Sequence, residues 1–366
     1  MSDDPINAGT QVKQRQARRV VGLLALVVSV VVGLLAWVVR PPAIPAPSPG
    51  EILAGDVLVT WSEATRIRAF GLESLHPFDI GKMDRMAAHL VDQGLLGWSD
   101  FAVGTEPDRA ALEQVHTPSY LDSLTDPAVL STAIEVKLPG FLGAETLDAR
   151  VLRPFRLGVG GTIVAARHAA SGGLGINLAG GYHHAQPTLG HGFCLYNDVA
   201  VAVAMLRAEG FDGTVLIVDT DAHQGDGNHA AFATDPRVVT YSVHQGELFP
   251  YPKVPGDLDR PLLGGTGDAE FLEVLDADLR GLVEAHEPDL MVHVAGADVL
   301  SDDPLAGLAL SPEGLTARDA LVQGHARSAG AGLLYVLGGG YGPSAAAAQG
   351  ASIAAMIRAA QESAGL

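Results

Sequence analysis

The chain has 366 residues, 48% of them apolar, which is ample for a buried core and excludes a disordered polymer. Its 23 basic and 42 acidic side chains leave a formal charge of −19 that repels a phosphate backbone, so no nucleic acid is expected as partner. The single cysteine, Cys194, excludes an internal disulfide framework and any multi-cysteine zinc site. Residues 1–19 are a basic tail, and "VVGLLALVVSVVVGLLAWVV" (20–39) is an uncharged apolar run. At about 20 residues it is long enough as a helix to cross roughly 30 Å of hydrocarbon. It is therefore expected to be a transmembrane helix rather than a cleaved signal peptide, whose apolar region usually spans about 7–15 residues. Lys13, Arg15, Arg18 and Arg19 precede the run and Arg40 alone follows closely, which puts the N-terminus in the cytoplasm and the rest of the chain outside it. The expected location is single-pass in a membrane, with the lipid bilayer as a partner and the folded part extracytoplasmic. "RPPAIPAPSPG" (40–50) reads as a stiff, Pro-rich linker, and the folded domain is expected over 51–366.

Within that domain, short β-branched runs alternate with segments that are apolar at helical spacing. The runs are "VLVTW" (57–61), "GINLAGG" (175–181), "TVLIVD" (214–219), "VVTYSVH" (238–244), "LMVHVAG" (290–296) and "LLYVLGGG" (333–340). Helices are predicted over 198–210, 270–286 and 311–330. Strand, helix, strand in series predicts a single α/β domain with a central, mostly parallel sheet and helices on both faces. Ligands of such sheets bind outside the carboxyl ends of the strands. The unusual polar clusters fall there: "GGYHHA" (180–185), "DTDAHQGDG" (219–227), "GAD" (296–298) and "GGGYG" (338–342).

Asp219, Asp221 and His223 project the same way if their segment is extended, so a divalent ion could meet two or three of them. Asp298, at the end of another strand, is the natural further ligand. Alone it would read as a turn or cap aspartate. Oxygen and imidazole donors suit zinc or ferrous iron, and a catalytic site keeps a position open for water. His183 and His184 alone would be two loop histidines; beside a metal they become candidates for proton transfer. Asp219 and Asp226 are the carboxylates left to pair with them, and Tyr341 has a phenol that could hydrogen-bond an oxyanion.

These residues resemble a family: the chain is similar to zinc-dependent histone deacetylase-type enzymes of the arginase/deacetylase fold, from about Val57 to Ile357. The matching segments, in order, are "HPFDIGKM" (76–83), "VHTPSYL" (115–121), "LRPFRLGVGGTI" (152–163), "GGYHHA", "GFCLYND" (192–198), "DTDAHQGDG", "GAD" and "LGGGY" (337–341). "HPFD", "LRP…GGT" and "DAHQG" look most like the class IV branch and its bacterial relatives.

The resemblance implies that Asp221, His223 and Asp298 ligate the metal, that His184 backed by Asp226 is the general base, and that His183 backed by Asp219 orients or protonates. Tyr341 would stabilise the oxyanion, and Gly192, Phe193 and Phe249 would line a narrow acyl-lysine tunnel. It also implies a potassium ion held by backbone oxygens of Asp219, Asp221, His223, Ser242 and Val243. The implied substrate is an acylated lysine peptide or a similar acyl-amine. The alternatives are acetylpolyamines or other small amides, and a non-catalytic, membrane-anchored protein that uses the metal only to hold ligands. The chain departs from the class IV pattern at "DVLSDDPLAGLALS" (298–311), where Pro304 interrupts the rim, and in the short loop "HQGELFPYPK" (244–253).

Overall fold

Seven parallel strands form one sheet: β1 (Val57–Thr60), β2 (Leu174–Asn177), β3 (Val215–Asp219), β4 (Val238–Gln245), β5 (Leu258–Leu262), β6 (Leu290–Val294) and β7 (Gly332–Val336). Their spatial order is β1-β2-β7-β6-β3-β4-β5. This is a computed structural model, and it describes residues 45–68, 73 and 76–365. The predicted basic tail, the apolar run 20–39 and the first part of the linker lie outside the described residues. Among the described residues no helix is long and apolar enough to cross a membrane. The last linker residues already pair with the domain, since Ser48 exchanges backbone hydrogen bonds of 3.2 and 2.9 Å with Val103.

Both faces of the sheet are apolar, as parallel sheets require. Val215, Ile217, Val292 and Val336 point into one buried cluster, and Leu216, Val218, Met291 and Tyr335 into another. The first is covered by α2 (Arg153–Ala170) and α3 (Asp198–Ala208). The second is covered by α1 (Lys82–Asp92), α5 (Asp268–His286), α6 (Pro312–Ala329) and α7 (Ala345–Ser363), while the short α4 (Asp226–Phe232) follows β3. In α5 the buried stripe is Phe271, Leu275, Leu279 and Leu282, a helical period. Ser311 caps α6 through Gly314 N–H, Pro312 opens it, and Gly330 closes it at φ +70°.

The predicted parallel sheet with helices on both faces is observed. Four strands end earlier than their predicted runs: β1 stops at Thr60, β2 at Asn177, β6 at Val294 and β7 at Val336, and after the last three the chain leaves the ladder for the site. Edge strand β5, "LDRPL", carries no apolar alternation to announce it and places Pro261 where an edge tolerates it. Gly160 and Gly161 make α2 smooth where it meets other chain: a Cβ on Gly160 would lie 2.0 Å from Thr105 O, and one on Gly161 would lie 2.9 Å from Asn177 Oδ1.

Candidate active site

The carboxyl ends of β3, β6 and β7 converge, and backbone amides fix each acidic side chain there. Asp219 accepts from Asp221 N–H (3.1 Å) and Asp221 Oδ1 from His223 N–H (2.9 Å), so each carboxylate holds the next turn of chain. Asp221 Oδ2 accepts from Gly339 N–H (2.6 Å), and Asp298 Oδ1 from Ala222 N–H (2.9 Å). Glycines are required beside them, because a Cβ on Gly296 would sit 2.2 Å from Asp221 Oδ2 and one on Gly339 2.3 Å from Asp298 Oδ2. Donor atoms of Asp221, His223 and Asp298 all lie within 4.8 Å of one another.

The donor set fits a divalent cation. Two fully buried carboxylates face one imidazole, His223 Nδ1 lying 2.8 Å from Asp298 and 3.2 Å from Asp221. Burial works against charge on His223, but its hydrogen bonds to the two carboxylates win and raise it to about 10. Burial raises Asp298 to about 7, assisted by the nearby Asp221 charge. The cluster therefore draws in positive charge, and one oxygen–nitrogen–oxygen set is what zinc or ferrous iron accepts.

Facing these donors, the two adjacent histidines each rest on a carboxylate. His183 Nδ1 donates to Asp219 Oδ2 (2.8 Å) and His184 Nδ1 to Asp226 Oδ1 (2.6 Å), so the second nitrogen of each ring is left for the site. Their environments pull them apart. Burial opposes charge on His183, yet Asp219 and Asp221 hold it up at about 9; burial and the His183 charge push His184 down to about 3. Despite burial, hydrogen bonds from His184 and His191 keep Asp226 well below the carboxylate range.

The apolar side of the site is a cavity of about 1020 Å³ including its open mouth. His183, His184, Gly192, Phe193 and Tyr341 line it together with Ile67, Ile134, Val136, Leu138 and Phe155. Gly192 is obligatory: its φ is +53°, and a Cβ would meet His184 Cδ2 at 2.4 Å. Phe193 itself sits at φ +67° and lies edge-on to Tyr341, ring centres 5.8 Å apart. Phe249 stands edge-on to His184 and to His191, 5.0 Å from each, and is not among the residues that line the cavity. Tyr341 is half-buried between Phe78 and Phe193, and burial beside Asp298 and Asp221 raises its phenol well above the usual range. Of the residues expected around a monovalent cation, Asp219 and Ser242 are register partners in neighbouring strands, Val243 follows on β4, and Asp221 and His223 continue from β3.

The structure thus brings together every predicted metal and catalytic residue. Four functional neighbours escaped the reading of the sequence. Lys82 is fully buried and donates from Nζ to the carbonyls of Gly338 (3.1 Å) and Gly339 (2.9 Å); burial lowers it to about 8 against the pull of Asp298 and Asp221. Asp303 fixes the Tyr341 backbone N–H at 2.7 Å. Gln186 and His191 both donate to Asp226 Oδ2, at 2.7 and 2.8 Å. Lys82 lies inside the quoted "HPFDIGKM", and a lysine in an otherwise apolar helical face was the available signal. Nothing local marks the other three.

A family profile described as the histone deacetylase domain matches residues 76–357. Histone deacetylase 2 of Arabidopsis thaliana is 34% identical over 301 residues, covering 81% of this chain and 77% of the plant protein. An acetoin utilization protein AcuC from Staphylococcus xylosus is 29% identical over 76% of each chain. Among solved structures, the HD domain of HDA15 aligns at TM-score 0.66 with 24% identity, covering 84% of this chain and 89% of the other. A histone deacetylase homolog from Aquifex aeolicus aligns at 0.65 with 23% identity over 84% of each. The family match and these relatives support a deacetylase-class hydrolase. The chain belongs to the histone deacetylase family.

Proposed function

We propose that the chain is a metal-dependent deacylase that hydrolyses the amide of an acyl-lysine or a similar acyl-amine, with Asp221, His223 and Asp298 holding the ion. The observation that carries this is their convergence within 4.8 Å beside two carboxylate-backed imidazoles and a phenol, at one end of an apolar cavity. Zinc is the first choice for this donor set, with ferrous iron the alternative. When bound, such an ion supplies Lewis acidity toward water and an amide carbonyl.

The chain's own residues do the rest. His184, kept neutral by its surroundings, accepts a proton at Nε2 as water oxygen bonds to the carbonyl carbon, and Asp226 stabilises the imidazolium so formed. Tyr341 O–H donates to the carbonyl oxygen as it becomes an oxyanion. His183, held charged on Asp219, orients the intermediate and can protonate the departing amine as the C–N bond breaks. Gly192, Phe193 and Phe249 confine the acyl-amine chain and keep water out. The cavity wall of Ile134, Val136, Leu138 and Phe155 favours acyl groups longer than acetyl.

Two further assignments complete the reading. The expected potassium ion would use Asp219, Asp221, His223, Ser242 and Val243, supported by the β3–β4 register. Residues 1–19, 20–39, 40–50 and 51–366 would be tail, membrane span, linker and catalytic domain, the last outside the cytoplasm, supported by the apolar run and its basic flank. Labelling of intact cells with an impermeant reagent tests that side, and protection of the domain would contradict it.

The enzymatic test is hydrolysis of an acyl-lysine panel, acetyl through myristoyl, with zinc or ferrous iron added and His184→Ala as control. Metal-dependent release that vanishes in the variant supports the deacylase. Metal bound without release from any member would point to small acyl-amines, and failure there to a ligand-binding protein.

A further inference from the structure

Behind the ligand loops lies a buried ion pair that no step above uses. Arg318, on α6, has no accessible surface, and its partner Asp319 has none either. Arg318 Nη1 donates to the carbonyls of Gly296 and Thr220, the latter at 3.3 Å, while Nε donates to Asp319 Oδ1 at 2.9 Å. Asp319 Oδ2 in turn accepts from Ser352 Oγ on α7 (2.6 Å) and Tyr335 O–H on β7 (3.1 Å). The guanidinium is thereby anchored to two elements and aimed at the ends of two others.

Taking such a pair out of water is costly, and a well-packed apolar residue would often serve a core as well or better. The two carbonyls explain what the charge is placed to do. Residue pairing between β3 and β6 ends at Asp219 and Val294, so the oxygens of Thr220 and Gly296 lie beyond it and need a donor. Thr220 immediately precedes Asp221, and Gly296 stands two residues before Asp298. The loops also touch, since Asp221 Oδ2 occupies the space a side chain on Gly296 would need.

We infer that Arg318 is a positioning residue for the metal centre: by holding Thr220 and Gly296 from behind, it sets the separation of Asp221 and Asp298 and so the affinity and coordination geometry of the divalent ion. This rests on the reading of Asp221, His223 and Asp298 as the ligands. Outer partners of metal ligands typically contribute 10–100-fold in affinity.

The test uses the full chain as Arg318→Met, which is apolar and of similar length, and Arg318→Lys, which keeps the charge but cannot span both carbonyls and Asp319. Zinc affinity is read by competition with a chromogenic chelator, geometry by the visible spectrum of the cobalt-substituted protein, and folding by a cooperative thermal melt. Folded Arg318→Met should bind zinc about 10–100-fold more weakly with shifted cobalt bands, and Arg318→Lys should recover part of the loss. A merely structural arginine would lower the melt and leave both metal readouts unchanged, and that result overturns the inference. Should the Met variant fail to fold, Arg318→Lys alone decides: wild-type affinity and spectrum would overturn it, and an intermediate loss would support it. Asp298→Ala separates this from the underlying assignment. If it binds zinc as wild type does, or wild type binds none, the ligand reading itself has failed.

Discussion

The two walls of the site are built on different principles. The wall that carries Asp221, His223 and Asp298 is polar and buried, and its carboxylates are pinned by backbone amides and crowded by glycines. The cavity lining formed by Ile67, Ile134, Val136, Leu138 and Phe155 is apolar. On the proposed function, the first would fix which bond is attacked, and the second would select what is attached to it. Changes in the first wall should abolish chemistry whatever the acyl chain, and changes in the second should alter preference while leaving chemistry intact.

The largest effect is expected at the ligands. Asp221→Ala or Asp298→Ala should lose the ion and, with it, about 10³-fold or more in kcat, because the Lewis acid supplies several kcal/mol; metal content and turnover together check this. Next come the residues that face the ligands. His184→Ala should cost about 10²–10⁴-fold and Tyr341→Phe about 10²–10³-fold in kcat, both with metal retained. Loss of metal in Tyr341→Phe would break the separation of roles. On the apolar wall, Val136→Trp should lower kcat/KM for long acyl chains about 10-fold, some 1.4 kcal/mol, and leave acetyl-lysine within about twofold. Equal losses for both would show that this wall does more than shape.

A further prediction concerns stability rather than chemistry. His116 is buried with both ring nitrogens satisfied in the neutral form: Nδ1–H donates to Gln186 O (3.1 Å) and Nε2 accepts Asn197 N–H (3.0 Å). Burial lowers it from 6.5 to about 4. The unfolded chain takes up this proton near pH 6.5 and the folded one only near 4, so stability is level above 6.5 and falls as pH drops between the two. The step is on the order of 3 kcal/mol. Thermal melts across that range should decline for wild type and less steeply for His116→Asn, because His244 and His293, also lowered by burial, keep part of the slope; parallel slopes would contradict it.

The same contrast decides what could be read from the sequence. A strand-ending Asp219-x-Asp221-x-His223 and the adjacent His183 and His184 are chemically conspicuous, because ionised groups have no ordinary reason to follow an apolar run. Their partners, and the sheet that gathers them, followed from alternating strands and helices. Leu138 and Val136 look like any core residue, and nothing in their neighbourhood says that they face a cavity. Edge strand β5 has no apolar period, and Arg318 sits in an amphipathic helix where an arginine reads as solvent-facing. Its burial comes from two carbonyls nearly 100 residues away and 22 residues away, and no local pattern carries that. Residues 20–39 remain a proposal from hydropathy alone.

The most direct measurement is a metal titration of the chelator-stripped full chain, following bound zinc and acyl-lysine hydrolysis together, with Asp298→Ala and His184→Ala in parallel. Turnover should rise in proportion to zinc and saturate at one ion per site, Asp298→Ala should neither bind nor turn over, and His184→Ala should bind without turning over. Hydrolysis by the stripped protein, or undiminished turnover in His184→Ala, would contradict the account.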